Sequence, residues 1–140
     1  MKRLALALAL LALWGLGVRA ADTIVVVLQV EDAEIITSDL KRLRLAEPAE
    51  VRFAVTTPYI AQVFGNDLTV ARSLMRLTVL ASARRVLSQL PATEAVKPEA
   101  ARAIVAEVDR ALDYLGVAVE SNTLRYTLVP PLWPEGGTPR

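Results

Sequence analysis

Cysteine and histidine, two residue types that carry much of enzyme chemistry, are both missing from the 140-residue chain. Without cysteine the chain can form no disulfide, no thiolate metal site and no cysteine nucleophile. Without histidine it lacks the commonest general base near neutral pH and the commonest metal ligand. No Gly-x-Ser-x-Gly pattern and no phosphate-binding glycine loop is present either. A domain of this composition must be held together by its packed core.

Export is predicted by the first 20 residues, which have the pattern of a secretion signal. Lys2 and Arg3 precede an apolar run of 15 residues, and small residues around Arg19 resemble a cleavage site. The run is shorter than the roughly 20 residues that cross a bilayer. We therefore expect a signal peptide over 1–20, cleaved after Ala20, and a periplasmic or extracellular domain. If the segment stays uncut, it would tether the domain to the outer face of the inner membrane.

The mature chain is predicted to be one small domain over 21–130. Removing Lys2, Arg3 and Arg19 with the signal leaves 13 basic and 15 acidic residues, a net charge of −2. This charge favours no general attraction to nucleic acid. The segment 131–140 holds three prolines and two glycines, which predicts a disordered tail.

A helix followed by a strand is predicted between Pro98 and Pro130. Apolar residues recur at spacings of three and four over 98–115, so they form one helix face that must be buried. Pro98 suits the first helical position, and Gly116 can adopt the left-handed conformation that ends a helix. After Gly116 the apolar residues alternate, which predicts a strand over 117–129. The alternation slips at 121–123, so we expect a bulge or bend there.

Three further strands are predicted at 24–30, 40–45 and 51–57 from their β-branched or alternating apolar residues. The short connection 46–50, which carries Pro48, predicts that the last two strands pair as an antiparallel hairpin.

A single helical turn is expected at Tyr59–Phe64, and a long helix over 68–90 follows a break and a cap. Its apolar residues cover more than half of its circumference, with Val70 and Leu77 among those that widen the buried stripe. The predicted class is α+β, with one antiparallel β-sheet covered on one side by two α-helices.

Four arginines, Arg72, Arg76, Arg84 and Arg85, are predicted to give the helix over 68–90 a basic side. This side could contact acidic lipid or an acidic partner. It could also be a solvated face answered by local acids such as Glu107, and the small number of charges favours this second interpretation.

Two groups of carboxylates are candidates for chemistry. The first group, Asp32, Glu34 and Asp39, could hold a hard cation. The second group, Glu107, Asp109 and Asp113, could supply an acid/base pair. The first group lacks the glycine and the regular spacing of a calcium loop. The second lies on a helix exterior with no sign of a pocket. We therefore predict no catalytic, cofactor-binding or metal-binding residue and no enzyme activity. A small exported hydrolase using two buried carboxylates is the enzymatic alternative.

The order of these segments resembles the SPFH or band 7 domain of stomatins, prohibitins and flotillins over about residues 24–131. The resemblance rests on short motifs in a matching order: Asp32, Thr37-Ser38-Asp39, the strand 51–58 ending in Pro58, the Leu115–Val119 junction around Gly116, and Pro130.

The resemblance implies an oligomeric, membrane-associated scaffold that organises lipid or protein assemblies and restrains membrane proteases, without catalytic residues. Family members usually continue into a long coiled-coil helix and carry an N-terminal membrane anchor. Here a proline- and glycine-rich segment is found where family members have the coiled coil, and a predicted cleavable signal is found where they have the anchor. We therefore expect a minimal exported version that binds proteins, including copies of itself, and contacts a membrane surface. A flagellar basal-body-associated protein with an uncut anchor is the nearest alternative.

Overall fold

The computed structural model describes residues 22–65 and 67–130. The predicted signal peptide and the predicted disordered tail lie outside these residues. The strands are β1 (Asp22–Leu28), β2 (Ile35–Ile36), β3 (Arg42–Leu45), β4 (Ala49–Val55), β5 (Ala118–Asn122) and β6 (Tyr126–Leu128). The helices are α1 (Thr57–Phe64), α2 (Leu68–Leu87), α3 (Ala92–Ala95) and α4 (Pro98–Leu112), with 3₁₀ helices at Val30–Ala33 and Asp113–Leu115. The predicted α+β class is confirmed.

The strands form two antiparallel sheets, with the orders β1-β4-β5 and β2-β3-β6. Both sheets are built from the same three chain segments in the same order. The first segment is interrupted by the 3₁₀ helix Val30–Ala33, and the other two pass from one sheet to the other at the links 46–48 and 123–125. Two backbone hydrogen bonds connect these two links: Ala46 donates to the carbonyl of Arg125 over 2.8 Å, and Thr123 donates to that of Glu50 over 3.0 Å. The predicted single sheet is thus divided into two successive halves.

The predicted hairpin between 40–45 and 51–57 is wrong. β3 and β4 do not pair with each other, since β3 pairs with β2 and β6 while β4 pairs with β1 and β5. They are consecutive halves of the middle segment. The buried side chains of both halves fall at odd positions from Leu43 to Val55, so the link at 46–48 bends the chain without changing the face that meets the core.

The predicted bulge or bend near 121–123 is confirmed. The pairing of β4 with β5 shifts register at Arg52 and Phe53. The chain then leaves the first sheet and resumes as β6 in the second.

The two long helices cover the sheet together. α2 packs against α4, β1 and β2, and α4 packs against β5. The cap of α2 is Asp67, whose carboxylate accepts a hydrogen bond from the Thr69 N–H over 2.9 Å. Pro98 opens α4, and Gly116 has a φ of 65° after the 3₁₀ turn that follows α4. These predicted helix ends are confirmed. α1 has eight residues where one turn was expected, and the four-residue α3 was not predicted.

The core lies between the helices and the sheet. Its largest fully buried side chains come from the sheets, the helices and the 3₁₀ turn after α4: Leu28, Leu43, Leu45, Phe53, Ile60, Met75, Leu87, Ile104, Leu112 and Leu115.

Candidate functional site

The carboxylates of the first candidate group each bind a different partner. Asp32 forms an ion pair with Arg76 at 2.5 Å, which ties the first 3₁₀ helix to α2. Glu34 pairs with Arg42 across β2 and β3. Among residues 22–65 and 67–130, no cluster of three or more acidic side chains is arranged to hold a metal ion.

Asp39, the third member of that group, belongs to a hydrogen-bonded turn. The buried Thr37 hydroxyl donates to Asp39 Oδ1 over 2.5 Å, and the same carboxylate oxygen accepts from the Ala92 N–H over 3.1 Å. The Ser38 N–H donates to the carbonyl of Leu90. The hydrogen bond from Thr37, followed by that from Ala92, lowers the pKa of Asp39 below its usual value. The triplet Thr37-Ser38-Asp39 therefore joins the turn between β2 and β3 to the start of α3.

The carboxylates of α4 also join elements of the fold. Glu107 binds Arg85 of α2 at 2.7 Å and Arg110 at 2.8 Å. Asp109 Oδ1 accepts from the Val119 N–H over 2.8 Å, next to the shift in the pairing of β5. Asp113 begins the 3₁₀ turn after α4 and is exposed. Because Glu107, Asp109 and Asp113 are all at least partly exposed and the first two are engaged with different elements, they do not form a buried acid/base pair.

The four arginines of α2 do not form one basic side. Arg76 extends to Asp32, whereas Arg85 extends to Glu107 on the neighbouring α4. The local acids expected from the sequence are thus present, and Glu107 is one of them. Arg72 and Arg84 are exposed and take part in no ion pair among the described residues.

A mostly apolar line runs along the outward side of α2, and the prediction that Val70 and Leu77 of this line are buried is wrong. Val70 is 54% exposed and Leu77 is 60% exposed. With 3.6 residues per turn, Val70, Ser73, Leu77 and Ala81 lie along one line of the helix, and all four are exposed. We call these four residues the outer stripe of α2. Arg84 continues the line, and α2 contains no acidic residue.

Two shallow clefts of about 300 Å³ each lie away from this stripe. The first lies between β6 and the turn joining α3 to α4. Its apolar walls are Val96, Pro98, Leu124 and Tyr126, and its charges are of both signs, from Glu47, Lys97 and Arg125. The second is bounded by Tyr59 and Tyr114 and their neighbours. The Tyr59 hydroxyl donates to the carbonyl of Tyr114 over 3.2 Å.

Tyr126 is the unusual residue of the first cleft. Its side chain is only 5% exposed, and its hydroxyl has no hydrogen-bond partner among the described residues. Burial raises the pKa of Tyr126 to about 12, because the phenolate would lose its hydration there. The alternation over 117–129 places Tyr126 on the apolar side of the strand with Leu124, but no sequence pattern indicated that its hydroxyl would lack a partner among the described residues.

We expect Tyr126 to make stability fall at alkaline pH. Since its folded pKa lies above the unfolded value near 10, its contribution is intact below pH 10 and is lost as the pH rises toward 12. Two pH units correspond to a loss of about 2.7 kcal/mol. Urea unfolding from pH 8 to 12 checks this, with Tyr126→Phe as the matched variant that lacks this loss. Parallel stability curves for the two proteins would contradict a buried hydroxyl.

None of the helices described in 22–65 and 67–130 has both the length and the apolar composition that crossing a membrane requires. In comparisons with known proteins, no family model matches the chain and no curated protein matches it.

Proposed function

We propose that this chain is a non-catalytic, exported interaction domain that binds an acidic segment of another protein through the outer stripe of α2. The observation that carries this proposal is the exposure of Leu77, in the middle of α2, between Arg72 and Arg84. Large apolar side chains on such a surface, with cations on either side, favour a partner that offers apolar residues and carboxylates.

The charge of α2 argues against a second copy of the same helix as the partner. Arg72, Arg76, Arg84 and Arg85 are its only charged residues, so two copies would bring arginines toward each other. Like charges across an interface disfavour association. An acidic partner would instead gain from Arg72 and Arg84, which have no ion pair among the described residues.

A membrane surface is the second candidate for this site. Each arginine close to anionic lipid contributes about 1 kcal/mol, so Arg72 and Arg84 together supply only weak attachment. Leu77 and Val70 add little area for insertion into headgroups. These magnitudes favour a protein partner. The experiment must therefore distinguish binding to a protein from binding to lipid.

The resemblance to SPFH or band 7 domains supports the same class of function. The residues that carry it have structural roles here: Asp32 and Asp39 join elements, and Gly116 ends the 3₁₀ turn that follows α4. A domain that needs these residues for its shape and offers an exposed apolar stripe fits a scaffold that regulates membrane protein assemblies. The flagellar basal-body-associated alternative shares this interaction role but keeps its anchor. The hydrolase alternative needs two facing buried acids, and Glu107, Asp109 and Asp113 are not arranged in that way.

Capture of proteins from the exported fraction tests the proposal, with matched variants compared in parallel. We expect Leu77→Glu, and separately Arg72→Glu combined with Arg84→Glu, to reduce the yield of a captured partner at least about tenfold, a change of about 1.4 kcal/mol. Ala106→Glu, on the exposed side of α4, is the control and should keep the partner.

Cosedimentation with vesicles of anionic and of neutral lipid distinguishes the lipid alternative. Binding to anionic vesicles that disappears with the double arginine variant and at high salt would replace the proposed protein partner with a membrane surface. If all variants captured the same set of proteins, the outer stripe would be excluded as the binding site.

A further inference from the structure

β1 is an edge strand, and the hydrogen-bond pattern shows which of its backbone groups are free. Thr123 donates to the carbonyl of Glu50, so even-numbered residues of β4 direct their backbone groups toward β5. Odd-numbered residues of β4 therefore face β1, where they pair with Asp22, Ile24, Val26 and Leu28. Opposed residues in antiparallel sheets alternate between hydrogen-bonded and non-hydrogen-bonded pairs. The N–H and C=O groups of Thr23, Val25 and Val27 consequently point away from β4.

These three residues present an edge ready for another strand. Their backbone groups have no hydrogen-bond partner among the residues that the structure describes. Their side chains lie on the open face of the sheet, where Thr23 is exposed and Val27 is 49% exposed. The other face of β1 is already buried under the helices, with Ile24, Val26 and Leu28 at most 3% exposed. A second strand could be added without uncovering the core.

The sequence of β1 suits a second copy of itself. From Thr23 to Gln29 it carries no charge, so two antiparallel copies bring no like charges together. It lacks the lysines and prolines that usually prevent edge strands from pairing. If the two-fold axis passes through Val25, then Val25 faces its own copy and Thr23 faces Val27. This register uses all three free residues and forms about six hydrogen bonds between the chains.

We infer that β1 pairs with β1 of a second copy, in antiparallel register about Val25, to join two three-stranded sheets into one six-stranded sheet. The contact is small compared with the 1,200–2,000 Å² of a standard interface, so the dimer is weak and reversible. It uses a surface on the opposite layer from the outer stripe of α2. Dimer formation and binding of the partner are thus independent, and an experiment can contradict either proposal without contradicting the other.

Single cysteines test the register directly, because the chain has no cysteine of its own. Hydrogen-bonded residues of an antiparallel pair have Cα atoms about 5.5 Å apart, a distance that a disulfide spans. Under mild oxidation of the protein purified from the exported fraction, Val25→Cys should form a covalent dimer. Thr23→Cys alone and Val27→Cys alone should each form at least about tenfold less covalent dimer than Val25→Cys. A mixture of these two variants should form a covalent dimer that contains one chain of each.

The more exposed position provides the internal control. Random collision would favour Val27→Cys over Val25→Cys, and that order of yields would overturn the register. Sedimentation of the cysteine-free protein provides the second measurement. Val25→Lys, which places two cations opposite each other, should raise the dimer dissociation constant at least about tenfold, and Ala118→Lys on β5 should leave it unchanged. A protein that stays monomeric at millimolar concentration, with no cross-linking at Val25, would exclude the dimer.

Discussion

Phe53→Ala is expected to lower the free energy of unfolding by about 3–5 kcal/mol. Phe53 is fully buried in β4, the middle strand of its sheet, opposite Ile24 of β1 and Val119 of β5. Truncation removes the ring from the contact between sheet and helices and leaves a cavity that rigid neighbours cannot fill. Urea unfolding at equilibrium measures the loss, with an unchanged slope confirming that the same surface is exposed on unfolding.

Arg52→Ala is the matched control, one residue away on the opposite face of β4. Its guanidinium is exposed and pairs with Glu50 at 2.7 Å, an interaction between two half-exposed groups. Surface pairs of this kind contribute between about 0 and 1 kcal/mol. If Arg52→Ala cost as much as Phe53→Ala, the assignment of the two faces of β4 would be wrong.

Ile104→Asp is expected to have at least as large an effect, because it places a carboxylate in the core without a partner. Ile104 is fully buried on the face of α4 that also carries Ala100, Val108 and Leu112. The lost apolar contacts and the buried charge together should cost more than about 4 kcal/mol at neutral pH. Circular dichroism should then show no cooperative unfolding transition at pH 7.

Acid should partly restore this variant. Burial raises the pKa of the introduced carboxyl above its unfolded value near 4, so stability returns as the pH falls and is lost as the pH rises. The stability of the wild type should change in the opposite direction, because the lowered pKa of Asp39 makes the wild type lose stability on acidification. Ala103→Asp, at an exposed neighbouring position, should unfold like the wild type at pH 7. Equal stability of the two variants would place the buried face of α4 elsewhere.

The ends of the helices could be predicted because their signals are local. Asp67 is a capping residue, Pro98 occupies a first-turn position and Gly116 has a positive φ. Each property depends on the residue and its immediate neighbours. The bend between β5 and β6 was likewise visible as a slip in the alternation of apolar residues.

Strand pairing could not be predicted in the same way, because it is decided between distant residues. The alternation from Leu43 to Val55 indicates which side chains face the core. It does not indicate whether the chain reverses its direction at Pro48 or only bends there. The partners of β3 come from Ile35–Ile36 and Tyr126–Leu128, and no short sequence window contains both.

The candidate site differed from prediction for a related reason. Apolar periodicity indicates that Val70 and Leu77 are apolar, but burial depends on whether another element covers them, and none of the described elements covers Leu77. The arginines of α2 were separated by Asp32 and Glu107, which approach from opposite neighbours. The contact between Asp39 and Ala92 joins residues 53 positions apart. Such contacts follow from the fold, and a single sequence does not display them.

Cross-linking from the position of Leu77 tests the central proposal most directly. A photoreactive amino acid placed there, and in parallel at the exposed Ala106 of α4, reports which molecules touch each surface in intact cells. We expect a discrete adduct with another protein from position 77 that is absent from position 106 and is lost when Arg72 and Arg84 are both changed to glutamate. The same adducts from both positions, or none from position 77, would contradict a binding role for the outer stripe of α2.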